Sequence, residues 1–191
     1  TTALELTLSS DPVLWTIVGR SLSVSATACV MACGVGLVLG AWLGVARFAG
    51  RGAVLAVLNT LLAVPSVVVG LLVVYLVLSR SGPLGSLGWL FSFKAMVLAQ
   101  AILVLPVVTA LTRQTVEDAE RAHGEQLRSM GAGPLLRSLL LAWDERYALL
   151  TVLLASFGRA ISEVGAVMIV GGNIDGFTRV MTTAIALETS K

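Results

Sequence analysis

Four apolar runs set the terms for this chain, at residues 14–46, 53–78, 93–111 and 147–170. A helix needs about 20 such residues to cross the hydrocarbon core of a bilayer, and each run meets or approaches that length. Composition agrees: 57% of the 191 residues are apolar and 13% are charged, where soluble domains carry roughly a quarter charged. The expected fold is therefore all-α, a polytopic membrane protein. The 19 glycines suit helices that pack closely in lipid, where small residues let backbones approach. A formal net charge of +2 gives no reason to expect nucleic acid as a partner. The chain begins with Thr and no basic segment precedes a short apolar core, so no signal peptide is expected in it.

The first run exceeds one bilayer thickness, so it tilts or begins at the interface, with Arg20 positioned to snorkel there. Pro65 interrupts the second run in "NTLLAVPSVVVG", removes a backbone donor and is expected to kink or break the helix. In lipid a break survives only where neighbours or a cavity satisfy the freed carbonyls. Pro65 thus marks either a bundle around a path or an ordinary proline kink. Residues 79–88 are loop chemistry, and Pro106 is expected to kink the third run. Cys29 and Cys33, four apart, read as small packing residues, and His123 as a solvated or packing histidine.

Orientation follows from the arginines. Arg113, Arg121, Arg128, Arg137 and Arg146 crowd the stretch between the third and fourth runs, and Arg47 and Arg51 flank the turn after the first. Two crossings separate these regions, so they share a side, opposite Arg80 and Lys94. The positive-inside rule puts the arginine-rich side in the cytoplasm and the N-terminus outside.

The segment 113–146 is polar and broken by "GAGP". "TVED", from Thr115 to Asp118, has the form of a capping box that would start a new helix. Val116, Ala119, Leu127 and Met130 fall at spacings compatible with one stripe, and Glu117 with Arg121 makes a favourable i,i+4 pair. Gly124 weakens the helix interior by about 1 kcal/mol relative to Ala. Gly131 and Gly133 can take left-handed angles, and Pro134 fits the first turn of a second helix over 135–143. The result is a helix, a turn and a helix lying beneath the membrane, either a docking platform for a cytoplasmic partner or a surface-lying connector.

Glu125, Gly131 and Leu141 in this segment match the spacing of the cytoplasmic motif of ABC importer permeases, E-A-A-x3-G-x9-I-x-L-P. Gln126 and Leu127 stand in place of its alanines, and Trp143 and Asp144 in place of its Leu and Pro. "FGRAISEVGAVMIVGGNIDGFTRVMTTAIALETSK", "SVSATACVMACGVGLVLGAWLGVARF" and "NTLLAVPSVVVGLLVVYLVLSRSGPLG" resemble the oxyanion branch of these type I permeases, most of all the tungstate type, with the molybdate and sulfate types more distant. The resemblance spans nearly the whole chain. It implies a single transmembrane permease domain over 1–191 in the inner membrane of a bacterium, working as a homodimer with two cytoplasmic ATPase subunits and an extracytoplasmic oxyanion-binding protein. It implies five spans, so the last is expected to be missing from these residues. ATP and Mg would belong to the partner ATPase, with no cofactor in this chain. Lys94 and Lys191, the only lysines, are not in a phosphate-binding loop. The ATPase would grip Glu125, Gln126, Leu127, Gly131, Ala132, Gly133 and Pro134.

Arg159 and Glu163 are also four apart, and Arg159 lies about 18 Å along a helix from Tyr147, near mid-bilayer. Such groups either hold a bundle together or mark a pathway. "GGNIDGFTR", residues 171–179, reads as a turn-rich loop at the outer face or as part of an outer gate. Pro65, Arg159, Glu163, Asn173 and Arg179 are accordingly the pathway candidates. A secondary transporter is the main alternative, with no clear inverted repeat in its favour. An intramembrane enzyme finds no His-Glu-x-x-His or Gly-x-Ser-x-Gly motif to support it.

Overall fold

A computed structural model describes residues 12–79, 82–83 and 85–189. Arg80, used above in the charge reading, and Lys191 lie outside them. Helices account for most of the described chain: α1 Pro12–Val45, α2 Arg51–Ala63, α3 Ser66–Leu72, α4 Phe93–Ser129, α5 Pro134–Asp144, α6 Arg146–Ile161, α7 Gly165–Gly171 and α8 Met181–Thr189. A π-helical stretch, Val73–Leu78, continues α3, and one 3-10 turn covers Gly85–Leu87. Among the described residues two helices, α1 and α4, are long and apolar enough to cross a membrane alone, and up to four spans result if α2 with α3 and α6 with α7 each count as one.

Contacts divide the chain into two compact units. In the first, from the described part of 1–28, 65–100 and 160–191, the short helices α3 and α7 lie close together. A methyl group on Gly70 would sit 2.9 Å from the Ala166 Cα, and one on Gly165 would sit 2.7 Å from a Val67 methyl. Only hydrogen at these positions allows that approach. Val73, Leu78, Ala95, Ala99 and Val170 form the core of this unit.

The second unit comprises 29–64 and 101–159. Here Gly36, Gly40 and Gly44 repeat every four residues and so share one face of α1. Val108, Thr112 and Val116 repeat in the same way along α4 and face them, a methyl on Gly40 falling 2.7 Å from the Thr109 carbonyl oxygen. This is the small-xxx-small packing that lipid favours. Beyond it, Ala41, Val45, Val116, Ala119 and Leu141 close a buried cluster that carries α5.

Four expectations change. No helix starts at Thr115: α4 runs unbroken from Phe93 to Ser129, carrying Pro106 inside it, and the Thr115 hydroxyl donates to the Leu111 carbonyl within the helix. Burial of Val116 and Ala119 outweighs the local capping signal. Met130 leaves the expected stripe and is 74% exposed. Gly133 is extended at φ −70°, so only Gly131, at φ +82°, needs the left-handed angle. The run 147–170 is not one helix but stops at Ile161 and restarts at Gly165.

Candidate functional site

Two places in the fold combine polar chemistry with a helix end. The first is the joint between α4 and α5. At 37 residues, α4 is about 55 Å long, well beyond the ~30 Å of a bilayer core. Its projecting end holds two buried carboxylates. Glu117 meets Arg51 at 3.1 Å, Arg121 at 3.2 Å, and Arg113. Glu120 meets Arg128 at 2.7 Å and Arg137 at 3.3 Å. Burial alone would push the Glu117 carboxyl up. The hydrogen bond from Arg51 and the charges of Arg51, Arg113 and Arg121 outweigh it and hold the group below the usual carboxylate range. Gly124 makes room for this network: a methyl there would lie 2.6 Å from the Glu120 carboxyl carbon. Sequence reasoning saw only the helix weakness.

The turn that follows is a Schellman motif. Gly131 donates to the Arg128 carbonyl at 2.9 Å and Ala132 to the Leu127 carbonyl at 3.0 Å. Gly133 then sits at the N-cap of α5 and Pro134 at its first turn. Arg137 reaches back from α5 to Glu120 and to the Ala132 carbonyl, so the joint is clamped on both sides. Ser138 and Leu141 are the buried face of α5. Its other face is bare, with Leu135 at 65%, Leu139 at 60% and Trp143 at 72% exposure. A groove of about 470 Å³ runs beside it, lined by His123, Gln126, Met130, Leu140 and Trp143. Of the coupling candidates, Glu125, Gln126, Gly131, Gly133 and Pro134 are exposed, Ala132 is half-buried, and Leu127 packs against the core cluster.

The second place is the break between α6 and α7. Arg159 lies in the last turn of α6 and is exposed, whereas Glu163 lies in the break and is 3% exposed. Within the first unit the break is satisfied from several directions. Gln100 donates through Nε2 to the Ala160 carbonyl at 2.6 Å, and the Thr182 hydroxyl donates to the Glu163 carbonyl at 2.9 Å. The Glu163 carboxylate accepts from the Ala166 N–H at 3.2 Å and caps α7. Ser21, Ser25, Gln100, Glu163 and Thr182 surround this point, the first four of them buried. Sequence reasoning missed Gln100 and Thr182. A glutamine inside an apolar run was the available signal.

Pro65 is exposed at the N-cap of α3, between Val64 and Ser66. Asn173 adopts φ +49° and donates to the Thr183 carbonyl at 3.5 Å, while Arg179 pairs with Asp175 at 3.0 Å. The loop around them is built rather than slack: the Thr178 hydroxyl accepts from the Ile174 N–H and donates to the Gly171 carbonyl. Thr178 is 1% exposed, a second buried polar group with no sequence warning.

An all-α, multi-pass membrane protein with interrupted spans and a jointed polar platform is the class this geometry defines. The chain matches no protein-family model. It is 43% identical over 188 residues to the tungstate uptake system permease protein TupB of Peptoclostridium acidaminophilum, covering 98% of this chain and 82% of that one. It is 43% identical over 183 residues to a probable anion ABC transporter permease protein of Haloferax volcanii, covering 93% and 78%. Identity to the molybdenum transport system permease protein ModB of Escherichia coli is 30% over 184 residues, covering 90% and 78%. The chain belongs to the oxyanion branch of the ABC transporter permeases.

Proposed function

We propose that this chain is the membrane-spanning subunit of an ATP-driven importer of tungstate or a related oxyanion such as molybdate. It works as a homodimer in the inner membrane, with 113–146 on the cytoplasmic side. Two cytoplasmic ATPase subunits seat on α5 and on the turn from Glu125 to Pro134, and ATP and Mg stay with them. An extracytoplasmic binding protein delivers the anion and sets most of its selectivity. The observation that carries this reading is the α5 platform: a short helix whose apolar face is bare, yet which the Arg137–Glu120 bridge fixes to the end of a membrane-crossing helix. A helix that merely connected two spans needs neither the bridge nor the bare leucines.

Closure of the ATPases on ATP moves the platform as a rigid lever. Because α4 is continuous from Phe93 to Ser129, that motion travels into the bilayer. The pathway candidates Pro65, Arg159, Glu163, Asn173 and Arg179 lie at helix breaks or in the loop before α8, where backbone angles can change without unwinding a full span. Reconstitution tests the reading. Proteoliposomes holding the chain, a P-loop ATPase encoded beside its gene and the cognate binding protein are expected to accumulate tungstate only with ATP, and Gly131→Asp to abolish this while leaving insertion intact. Uptake driven by a proton gradient without ATP would overturn it.

A further inference from the structure

A second cavity in the first unit has no role in the account above. It measures about 470 Å³ and is lined by Arg20, Trp89, Ser92, Phe93, Lys94 and Phe177, together with Gly88. Two cations therefore converge on one open space with no carboxylate in its lining. Arg20 is held in place, since its Nη2 donates to the Gly176 carbonyl at 3.0 Å. Its Nη1 is enclosed yet has no hydrogen-bond acceptor, which is costly for a charged donor. The Lys94 ammonium stands 5.3 Å over the Trp89 ring, a contact that directs the charge without neutralising it. Asp175 flanks Arg20 in an adjoining hollow, but its carboxylate is engaged by Arg179 at 3.0 Å. The Ser92 hydroxyl donates to the Trp89 carbonyl, and that bond braces the turn from which Lys94 projects.

We infer that this cavity is an anion site, taking one tetrahedral oxyanion group between Arg20 and Lys94. The stranded Nη1 donor and the exposed Lys94 ammonium supply two charged hydrogen bonds, and the remaining volume leaves the other oxygens hydrated. Such a site holds an anion loosely, which suits capture and onward release. The same chemistry comes from two sources, a free dianion or the phosphate of a lipid head group. Trp89, in the cavity lining, is of the side-chain type enriched at head-group depth. The inference rests on the proposed importer function only in naming tungstate as the free anion.

The test uses the full chain in nanodiscs. Tungstate is titrated in phosphatidylcholine discs, and native mass spectrometry counts phosphatidylglycerol retained from mixed discs. Saturable tungstate binding that weakens at least tenfold in Arg20→Gln and Lys94→Gln, and survives in Lys94→Arg, establishes the free anion as the source. Retention of one phosphatidylglycerol per chain, lost in the same two variants while tungstate fails to bind, establishes the head group. Lys94 is exposed, so its neutralisation leaves the fold intact even if Arg20→Gln does not. Absence of both ligands from the wild type, or binding unchanged in Lys94→Gln, overturns the site. Uptake by the ATPase-bearing complex is measured in parallel. Normal ATP-driven uptake with neither ligand bound removes this site and keeps the importer, whereas binding without any uptake does the reverse.

Discussion

The carboxylate of Glu120 lies 3.3 Å from the guanidinium of Arg137, so the end of α4 and the start of α5 are pinned across a glycine joint. Arg137→Leu removes that pin and leaves a carboxylate that is 2% exposed with Arg128 alone. Trypsin is then expected to cut at Arg128 several-fold faster, with helix content by circular dichroism unchanged. Cleavage at the wild-type rate would mean that the Schellman turn alone fixes the joint.

Glu117 gives the platform a pH dependence of definite sign. Its carboxyl titrates below the ordinary value of 4.5 in the folded protein. Its stabilising contribution is therefore complete above the unfolded carboxyl's pKa and is lost as pH falls from there through the folded one. The difference in melting temperature between wild type and Glu117→Gln is expected to be constant from pH 7 to about 5 and to shrink below about 4.5. At neutral pH that difference corresponds to about 2–3 kcal/mol, since Arg51 and Arg113 are largely buried but Arg121 is exposed and contributes little. A difference that grew on acidification would contradict the assignment.

Gly40 tests the packing of α1 on α4. An added methyl would stand 2.7 Å from both the Thr109 carbonyl oxygen and the Thr112 Cβ, and neither is the free end of a flexible side chain. Gly40→Ala is expected to cost about 1–3 kcal/mol and to lower the melting temperature in detergent. Gly34, where nothing lies within 4 Å, is the control, and Gly34→Ala should be neutral or slightly stabilising.

Gln100 is the hydrogen-bond donor that makes the break before α7 tolerable. Gln100→Leu strips the Ala160 carbonyl of its side-chain partner and is expected to destabilise by about 1–3 kcal/mol. Hydrogen exchange at Ala166 and Val167 should rise with it. Protection equal to the wild type at both amides would show that the Glu163 cap suffices.

Much of this was open to inspection in the sequence. Apolar run length marked the two helices long enough to cross a membrane and the two bent pairs that could each make a span, and "GAGP" gave the joint, because lipid and left-handed backbone angles each admit few residue types. What escaped notice depended on partners distant along the chain. The capping box at Thr115 was locally sound, but Val116 and Ala119 belong to a core completed by Ala41, Val45 and Leu141, and no local pattern records that. The break at 162–164 carries no proline. It exists because Gln100 and Thr182, some 60 and 20 residues away, satisfy it. Gly124 looked like a defect until Glu120 was seen folded against it.

The bare face of α5 carries the central claim, that an external ATPase works this subunit through a clamped lever. The direct measurement is capture of the ATPase by purified wild-type chain and by Leu139→Asp, with tungstate-stimulated ATP hydrolysis read on the same samples. Leu139 is 60% exposed and touches none of the bridges, so the variant should fold and insert normally. At least a tenfold loss of both capture and stimulated hydrolysis is the predicted result. Full capture with full stimulation would contradict the account.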